Sequence, residues 1–392
     1  MNSIEELFKG VYIFKDESKL FPEYIPSSLP HREEQIKLLA TYLGGLLIPS
    51  NYASYRVICY GPTGTGKTAV NKYFGKLIQQ EAKNKGINLY YVHVNCHIER
   101  TYFMIVKKIV ESLFPQIPKR GFSPQQMLEE LLKYLEEEDI KLLLCLDESD
   151  YLIRTDPDIL YNLTRLAEKE LGKNRISLIL ILRDITLLYN LEESTLSTLQ
   201  KNTIKFDPYT SAQLFTILKE RSEEAFIPGV VNDEIIQMIS RIVGADNNGK
   251  GDARFALEIL WKAGKIAINS GDKQLIPEHV RKALSEVYPY LNLEMINSLE
   301  KQEKILLKAL ALALKELKQA QINVGRLNKY YKLVCEEYSE KPLKYTQLWS
   351  YLQRLKNKNL INIKVSNLKR GRSSLISIDI PAEVIIKNIK IE

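Results

Sequence analysis

Cysteine is scarce in this 392-residue chain, and the four residues, Cys59, Cys96, Cys145 and Cys335, stand far apart in mostly apolar surroundings. They form neither a C-x-x-C pair nor a cluster with histidine. Disulfide frameworks and cysteine-based metal sites carry more cysteines in recognisable spacings. We therefore expect reduced cysteines that belong to the protein core.

Long apolar runs are also absent. None approaches the roughly 18 residues that a membrane-spanning helix needs. The first ten residues, MNSIEELFKG, lack the charged-then-apolar order of a signal peptide. We expect a cytoplasmic protein that has no membrane partner.

The length and the charge distribution indicate several domains, one of them basic. A chain of 392 residues exceeds what one hydrophobic core usually serves, so two or three domains are expected. The net charge is +7, yet residues 301–392 alone hold 19 Lys and Arg against 8 Asp and Glu, which leaves −4 for the first 300 residues. This asymmetry favours a carboxy-terminal module that faces a polyanion, and a solvated lysine-rich surface is the alternative.

Two patterns of secondary structure divide the chain near Pro208. Between residues 54 and 207, short β-rich runs alternate with helical stretches, which predicts a parallel sheet with crossover helices. These runs are RVICY, NLYYVHVNC, KLLLCLD, ISLILIL and NTIKF. Helices are predicted afterwards over 211–226, 233–243, 253–269 and 277–286, with Ser211 and Asp233 as N-caps. From about residue 293, three helices precede a hairpin with a basic tip, the order of a winged helix-turn-helix.

A glycine-rich motif follows the first predicted strand. It matches G-x-x-x-x-G-K-[ST] and consists of Gly61, Pro62, Thr63, Gly64, Thr65, Gly66, Lys67 and Thr68, with Ala69 next in the following helix. Such a loop turns backbone N–H groups towards phosphates, and the helix N-terminus adds partial positive charge. We expect Lys67 to reach the phosphates of ATP or ADP and the Thr68 hydroxyl to bind Mg²⁺. A glycine-rich turn without a ligand is the alternative.

Two acidic residues, Asp147 and Glu148, end the apolar run of residues 142–146. Ligands of open α/β sheets lie at the carboxyl ends of the strands. We expect Asp147 to hold Mg²⁺, directly or through water, and Glu148 to orient or deprotonate the attacking water. Asp150 either joins this acidic cluster or caps the next helix.

At this point the residues resemble a known family, the archaeal replication initiators related to the eukaryotic origin recognition complex and its cell-division-cycle partner. The resemblance covers almost the whole chain. It rests on GPTGTGKT, LLLCLDESDYL and three further segments, EYIPSSLPHRE from Glu23, IKFDPYTSAQLFTILKER from Ile204 and GDARFALEIL from Gly251.

The resemblance implies the fold class: an α/β P-loop AAA+ base over 1–207, a helical lid over 208–292 and a winged-helix DNA-binding domain over 293–392. It implies ATP or ADP between base and lid, with the adenine near Tyr24, Ile25, Pro26, His31 and Arg32. Arg254 matches the family's lid arginine, sensor 2, although an arginine at a helix start is often only a surface residue. Lys119 and Arg120 lie where the family carries a second DNA-contacting element, with an ordinary loop as the alternative.

The chain departs from the family at two positions. Arg183 occupies the place of the usual sensor-1 asparagine, where it stays a candidate for charge sensing. Ser194 occupies the place of the usual arginine finger. Because an arginine finger is worth about 10³ to 10⁵ in rate, we expect tight nucleotide binding with slow hydrolysis.

Two elements of the carboxy-terminal module are predicted to contact DNA. The recognition helix starts at Tyr345, and its side chains opposite the core-facing leucines are Gln347, Ser350, Tyr351, Arg354 and Lys358. The wing carries Lys369, Arg370, Gly371 and Arg372, which suits a minor groove. The alternatives are a protein-binding winged helix and a solvated hairpin tip.

The preferred functional hypothesis is a nucleoid-associated, ATP-regulated initiator that binds double-stranded origin DNA. It would act as an ATP-binding switch with weak ATPase activity, together with other protomers and the minichromosome maintenance helicase. The alternatives are a signalling or transcription-regulating P-loop ATPase with a winged helix, a regulatory paralogue of an initiator, and a loader that acts on proteins without DNA specificity.

Overall fold

The computed structural model divides the chain into two compact units. It describes residues 12–114, 124–165, 174–199, 202–247, 249–287, 299–358, 360–368, 371–378 and 380–389. The first unit comprises residues 25–209 and 251–253. The second comprises the described parts of 1–24, 210–250 and 254–392.

The first unit is built on a parallel sheet of five strands, ordered β2-β3-β4-β1-β5. The strands are β1 (Arg56–Tyr60), β2 (Leu89–Asn95), β3 (Lys141–Asp147), β4 (Ile176–Leu182) and β5 (Thr203–Lys205). Every residue of β3 and β4 is buried, which explains why both sequences are nearly continuous apolar runs rather than alternating ones. The predicted parallel α/β arrangement is confirmed.

Helices cover the two faces of this sheet. They are α1 (Glu33–Leu43), α2 (Lys67–Asn84), α3 (Tyr102–Leu113), α4 (Pro124–Glu137), α5 (Asp150–Thr155), α6 (Pro157–Arg165) and α7 (Glu193–Thr198). Leu142 and Leu144 of β3 pack in one core with α3 and α4, while Leu143 and Cys145 pack in the other with α1 and α2. Alternate residues of one strand therefore hold both layers in place.

Four helices form the first part of the second unit: α8 (Ser211–Ala225), α9 (Asp233–Val243), α10 (Ala253–Asn269) and α11 (Pro277–Val287). The amino-terminal segment packs on them. The Phe14 and Phe226 rings lie 4.5 Å apart, and the Lys15 N–H donates to the Ala225 carbonyl over 2.8 Å. Phe14 and Lys15 are thus held against the end of α8.

The N-caps of α8 and α9 lie one residue before the predicted ones. The Thr210 side chain accepts the Gln213 N–H, in a reciprocal capping box, and the Asn232 side chain accepts the Ile235 N–H. The prediction of Ser211 and Asp233 as caps was wrong, because both residues are already in helical conformation. A cap needs extended backbone, which Thr210 and Asn232 have.

A winged helix completes the second unit. Its elements are α12 (Lys301–Leu317), β6 (Ile322–Asn323), α13 (Val324–Glu337), α14 (Tyr345–Asn357), β7 (Asn362–Leu368), β8 (Gly371–Ser377) and α15 (Ala382–Asn388). The three strands pair antiparallel in the order β6-β8-β7. The predicted three helices and hairpin are confirmed, with β6 and α15 as additions.

A buried ion pair within α11, Arg281 with Glu278, is hydrogen-bonded to the winged helix. Arg281 is 0% exposed and donates to the carbonyls of Ile378 and Gln319 and to the Glu278 carboxylate over 3.0–3.3 Å. The other Glu278 oxygen accepts the Ala382 N–H, at the start of α15. These bonds fix α11 against both ends of the winged-helix fold.

The four cysteines are buried free thiols, as expected from the sequence. Burial raises the pKa of Cys59 and of Cys96 to about 12, so both are protonated at neutral pH. Within the described ranges, no helix combines the length and apolar character needed to cross a membrane.

Candidate nucleotide-binding site and winged helix

The glycine-rich loop connects β1 to α2 and has a left-handed backbone at several glycines. Gly64 and Gly66 have φ values of 74° and 87°. A Cβ at Gly64 would overlap the Asp252 carboxylate, and a Cβ at Gly66 would lie 2.7 Å from the Tyr209 hydroxyl. Backbone conformation and space therefore both require glycine at these two positions.

The Lys67 ammonium folds back over the loop. Its Nζ donates to the carbonyls of Gly61 and Pro62 over 2.6 and 2.7 Å, and the residue is 9% exposed. The lysine predicted to reach phosphates is thus held directly above the loop that would cradle them.

Thr68 and Asp147, the two predicted magnesium ligands, meet at the carboxyl end of β3. Thr68 Oγ1 lies 2.7 Å from Asp147 Oδ2, and Asp147 Oδ1 accepts the Glu148 N–H over 2.9 Å. Hydroxyl and carboxylate oxygens are hard donors of the kind that Mg²⁺ prefers. The donor set fits this ion.

A histidine that the sequence did not single out contacts the same carboxylate. His93 Nε2 lies 3.1 Å from Asp147 Oδ2, and His93 Nδ1 lies 3.0 Å from the Tyr91 hydroxyl. Burial acts to raise the pKa of Asp147, but His93, the Thr68 hydroxyl and the Glu148 N–H together lower it below its usual value. Asp147 is therefore a carboxylate at neutral pH.

The second acidic residue, Glu148, is engaged by an arginine. Arg183 Nη2 lies 3.2 Å from Glu148 Oε1, and Glu148 has a positive φ of 56°. The Arg183 N–H donates to both oxygens of Asp150 over 2.9 and 3.1 Å. Of the two alternatives for Asp150, the cap is not observed, because Ser149 holds the N-cap position of α5 and the Asp150 carboxylate accepts the N–H of the residue that follows β4.

Of the residues implied near adenine, Arg32 lies against the glycine-rich loop. Its guanidinium donates to the Thr65 and Asp207 carbonyls over 2.9 and 2.8 Å and stacks 3.9 Å from the centre of the Tyr209 ring. His31 precedes it with a φ of 65°, and its Nε2 is a buried atom. Arg32 therefore connects the glycine-rich loop, at Thr65, to the segment that follows β5, at Asp207.

The other implied residues are divided between the two units. Ile25 and Pro26 begin the first unit and are half-buried, whereas Tyr24 ends the amino-terminal segment of the second. There the Tyr24 ring lies 4.4 Å from the Arg221 guanidinium. Arg254 is exposed in the first turn of α10. The nucleotide contacts of these residues stay a prediction.

The recognition-helix candidates lie on α14 and just after it. Gln347 and Ser350 are exposed, and Tyr351 is half-buried. Arg354 lies 3.2 Å from Glu300, with both side chains more than half exposed. Lys358 differs, because its Nζ lies 2.7 Å from Glu303, whose side chain is 1% exposed. Arg354 is available to a partner, whereas Lys358 neutralises a buried carboxylate.

Several predicted DNA-binding residues lie wholly or partly outside the described residues. Lys119, Arg120, Lys369 and Arg370 lie outside them. Gly371 and Arg372 open β8, where their backbones pair with Leu368 and Asn367 of β7. The two paired strands, β7 and β8, that flank the predicted wing residues are therefore observed.

Family models match three consecutive parts of the chain. "AAA domain" matches residues 53–187, "Cdc6 AAA+ ATPase-type lid domain" matches 215–285, and "CDC6, C terminal winged helix domain" matches 294–388. Together with the parallel sheet, these matches confirm the expected AAA+ base, lid and winged helix.

Full-length relatives agree with these matches. The chain is 38% identical to "ORC1-type DNA replication protein 2" of Sulfurisphaera tokodaii, over 98% of this chain and 94% of the relative. The crystal structure of Cdc6p from Pyrobaculum aerophilum has a TM-score of 0.83 at 34% identity, covering 96% of this chain and 97% of that one. The Aeropyrum pernix ORC1 protein in complex with DNA has a TM-score of 0.62 at 28% identity, covering 96% of each chain. The chain therefore belongs to the family of ORC1-type DNA replication proteins, whose lid and winged helix are of the Cdc6 type.

Proposed function

We propose that the chain is an ATP-regulated replication initiator that binds double-stranded origin DNA and helps to recruit the minichromosome maintenance helicase. The observation that carries the proposal is the combination, in one chain, of a glycine-rich loop facing a carboxylate pair with a winged helix in the basic last quarter. Full-length relatives named as DNA replication proteins support it. Other initiator protomers are further proposed partners.

The nucleotide in this proposal is ATP or ADP with Mg²⁺. The loop N–H groups and the α2 N-terminus would hold the phosphates, and Lys67 would exchange its carbonyl contacts for phosphate oxygens. Thr68 and Asp147 would hold Mg²⁺, which neutralises phosphate charge. Glu148 would orient the attacking water.

Hydrolysis is proposed to be slow, for two reasons within the chain. Ser194 stands where the family usually has its arginine finger, and a serine hydroxyl supplies no positive charge in trans. The carboxylate of Glu148 is already paired with Arg183. Bound nucleotide would therefore act mainly as a switch between states of the protein.

The DNA contacts are proposed to come from α14 and the wing. The exposed pair of Arg354 with Glu300 is worth about 0–1 kcal/mol, so a DNA phosphate can replace Glu300 at little cost. Gln347 and Ser350 offer polar groups on the exposed side of the helix. Lys119 and Arg120, with the wing residues 369–372, complete the proposed interface.

Duplex binding by the full chain tests this proposal. We would measure affinity for origin and random duplexes at several salt concentrations, for the wild type and for Arg370→Ala plus Arg372→Ala. If both arginines contact phosphates, the slope of log affinity against log salt should fall by about 2. Lys83→Ala plus Lys85→Ala, two exposed lysines of the base, is the charge-matched control and should leave the slope unchanged.

The outcomes separate the functional classes. A preference for origin DNA that weakens in the wing variant and not in the control supports the initiator. Preference for promoter DNA supports a transcription-regulating ATPase. Absence of duplex binding at moderate salt supports a loader that acts on proteins.

A further inference from the structure

A histidine lies beside Asp147, one of the two proposed magnesium ligands. His93 belongs to β2, adjacent to the strand that ends at Asp147. The His93 side chain is 14% exposed and that of Asp147 is 6% exposed. The imidazole is thus enclosed with the carboxylate that the nucleotide site depends on.

Donors and acceptors can be assigned consistently along the hydrogen bonds that join Tyr91, His93 and Asp147. The Tyr91 hydroxyl can donate to His93 Nδ1, which leaves the proton of a neutral imidazole on Nε2, facing Asp147 Oδ2. In this assignment each donor, the Tyr91 hydroxyl and His93 Nε2, faces an acceptor, His93 Nδ1 and Asp147 Oδ2 respectively. The cluster is satisfied without any further group.

The two oxygens of Asp147 are held differently. Oδ1 accepts the backbone N–H of Glu148, whereas Oδ2 is approached by the Thr68 hydroxyl and by His93 Nε2. The terminal torsion of aspartate is broad when nothing restrains it. Because His93 approaches from β2 and Thr68 from α2, the two donors fix the rotation of the carboxylate.

We propose that His93 is a positioning residue, which holds Asp147 in the orientation that binds Mg²⁺ together with the nucleotide. The inference rests on the nucleotide site proposed above. Outer-shell partners of metal-binding carboxylates typically contribute about 10–100-fold to metal affinity. His93 contacts Asp147, the proposed Mg²⁺ ligand, so its effect should appear only when Mg²⁺ is present.

A packing role predicts a different result. If His93 merely fills space between β2 and α2, its removal should disturb the glycine-rich loop and weaken nucleotide binding with and without Mg²⁺ alike. The dependence of affinity on Mg²⁺ therefore distinguishes positioning from packing.

The experiment titrates the full chain with a fluorescent methylanthraniloyl derivative of ADP, first with a chelator and then over a series of Mg²⁺ concentrations. In His93→Ala we expect unchanged affinity with the chelator, and about 10–100-fold more Mg²⁺ to reach half of the metal-dependent gain. His93→Gln, whose amide N–H can still donate to Asp147, should restore most of the loss. His97→Ala removes an exposed histidine of the same unit and should match the wild type.

Each result has one meaning. Equal loss with and without Mg²⁺, or an unchanged Mg²⁺ dependence in His93→Ala, overturns the role of His93. If the wild type itself binds no ADP derivative, the proposed nucleotide site fails, and the inference fails with it. Thermal unfolding of each variant verifies that a loss of affinity does not come from a loss of fold.

Discussion

The guanidinium of Arg183 lies 3.2 Å from the carboxylate of Glu148, the residue proposed to orient the attacking water. The Arg183 side chain is 60% exposed and that of Glu148 is 35% exposed. An ion pair this exposed is worth about 0.2–1 kcal/mol, so it restrains the carboxylate weakly. Arg183 thus stands as a removable restraint on Glu148.

Replacing Arg183 with asparagine, the residue that the family resemblance implies at this position, should raise the rate of ATP hydrolysis. Release of Glu148 from a pair of up to about 1 kcal/mol corresponds to at most about a fivefold increase. Single-turnover hydrolysis measures it directly, and Arg183→Lys, which keeps the charge, should leave the rate near that of the wild type. A slower Arg183→Asn variant would mean that the arginine assists the reaction.

The main effect of removing Lys358 should be on the stability of the winged helix and not on DNA binding. Glu303 would be left buried without its cation, at a cost of about 1–3 kcal/mol in the free energy of unfolding. The added change Glu303→Gln should restore most of the loss. Denaturant unfolding measures both variants, with Lys356→Ala, an exposed lysine of α14, as the control expected within about 0.5 kcal/mol of the wild type. Wild-type stability in Lys358→Ala would contradict this assignment.

The buried Arg281–Glu278 pair of α11, which is hydrogen-bonded to the winged helix, predicts a larger loss. Arg281→Ala removes every bond of a fully buried guanidinium and leaves Glu278 as a buried charge, which typically costs about 3–5 kcal/mol. Lys282→Ala, which breaks a partly exposed pair with Glu383, should cost less than about 1 kcal/mol. The urea midpoints of the two variants should therefore differ clearly, and equal midpoints would contradict the stabilising role assigned to Arg281.

His279 should make the lid sensitive to acid. Burial lowers its pKa below the usual value, against the opposing effect of Asp272, so the folded protein binds this proton less readily than the unfolded chain. Its contribution to stability is therefore present above the unfolded pKa of about 6.5 and is lost as the pH falls from there through the lower pKa of the folded protein. The free energy of unfolding should fall less steeply below pH 6.5 in His279→Gln. Parallel pH profiles in the two proteins would contradict this origin of the sensitivity.

The sequence predicted most of the fold because its signals were local. The strands β3 and β4 were predicted at their observed bounds, since a central strand of a parallel sheet reads as an apolar run between polar residues. The glycine-rich motif likewise fixes its own backbone conformation. The predicted N-caps failed by one residue because consecutive polar residues compete for that position.

The contacts of His93 with Asp147 and of Lys358 with Glu303 could not be predicted from local sequence signals. His93 meets Asp147 only because β2 pairs with β3 in a register that places His93 opposite Cys145, and sequence alone does not set that register. The pairing of Lys358 with Glu303 joins α12 to the end of α14, 55 residues apart. Periodicity predicted the exposure of Gln347, Ser350 and Arg354 correctly, whereas Tyr351 and Lys358 are half-buried. It could not predict the acidic partner of Lys358.

The central claim is tested most directly in the cells that encode this chain, by crosslinking the tagged protein to DNA and mapping its sites against the positions where DNA synthesis starts. The account predicts enrichment at replication start sites, and weaker enrichment for Arg370→Ala plus Arg372→Ala. Enrichment confined to promoters, or none above background, would contradict the proposal that this protein is an origin-binding initiator.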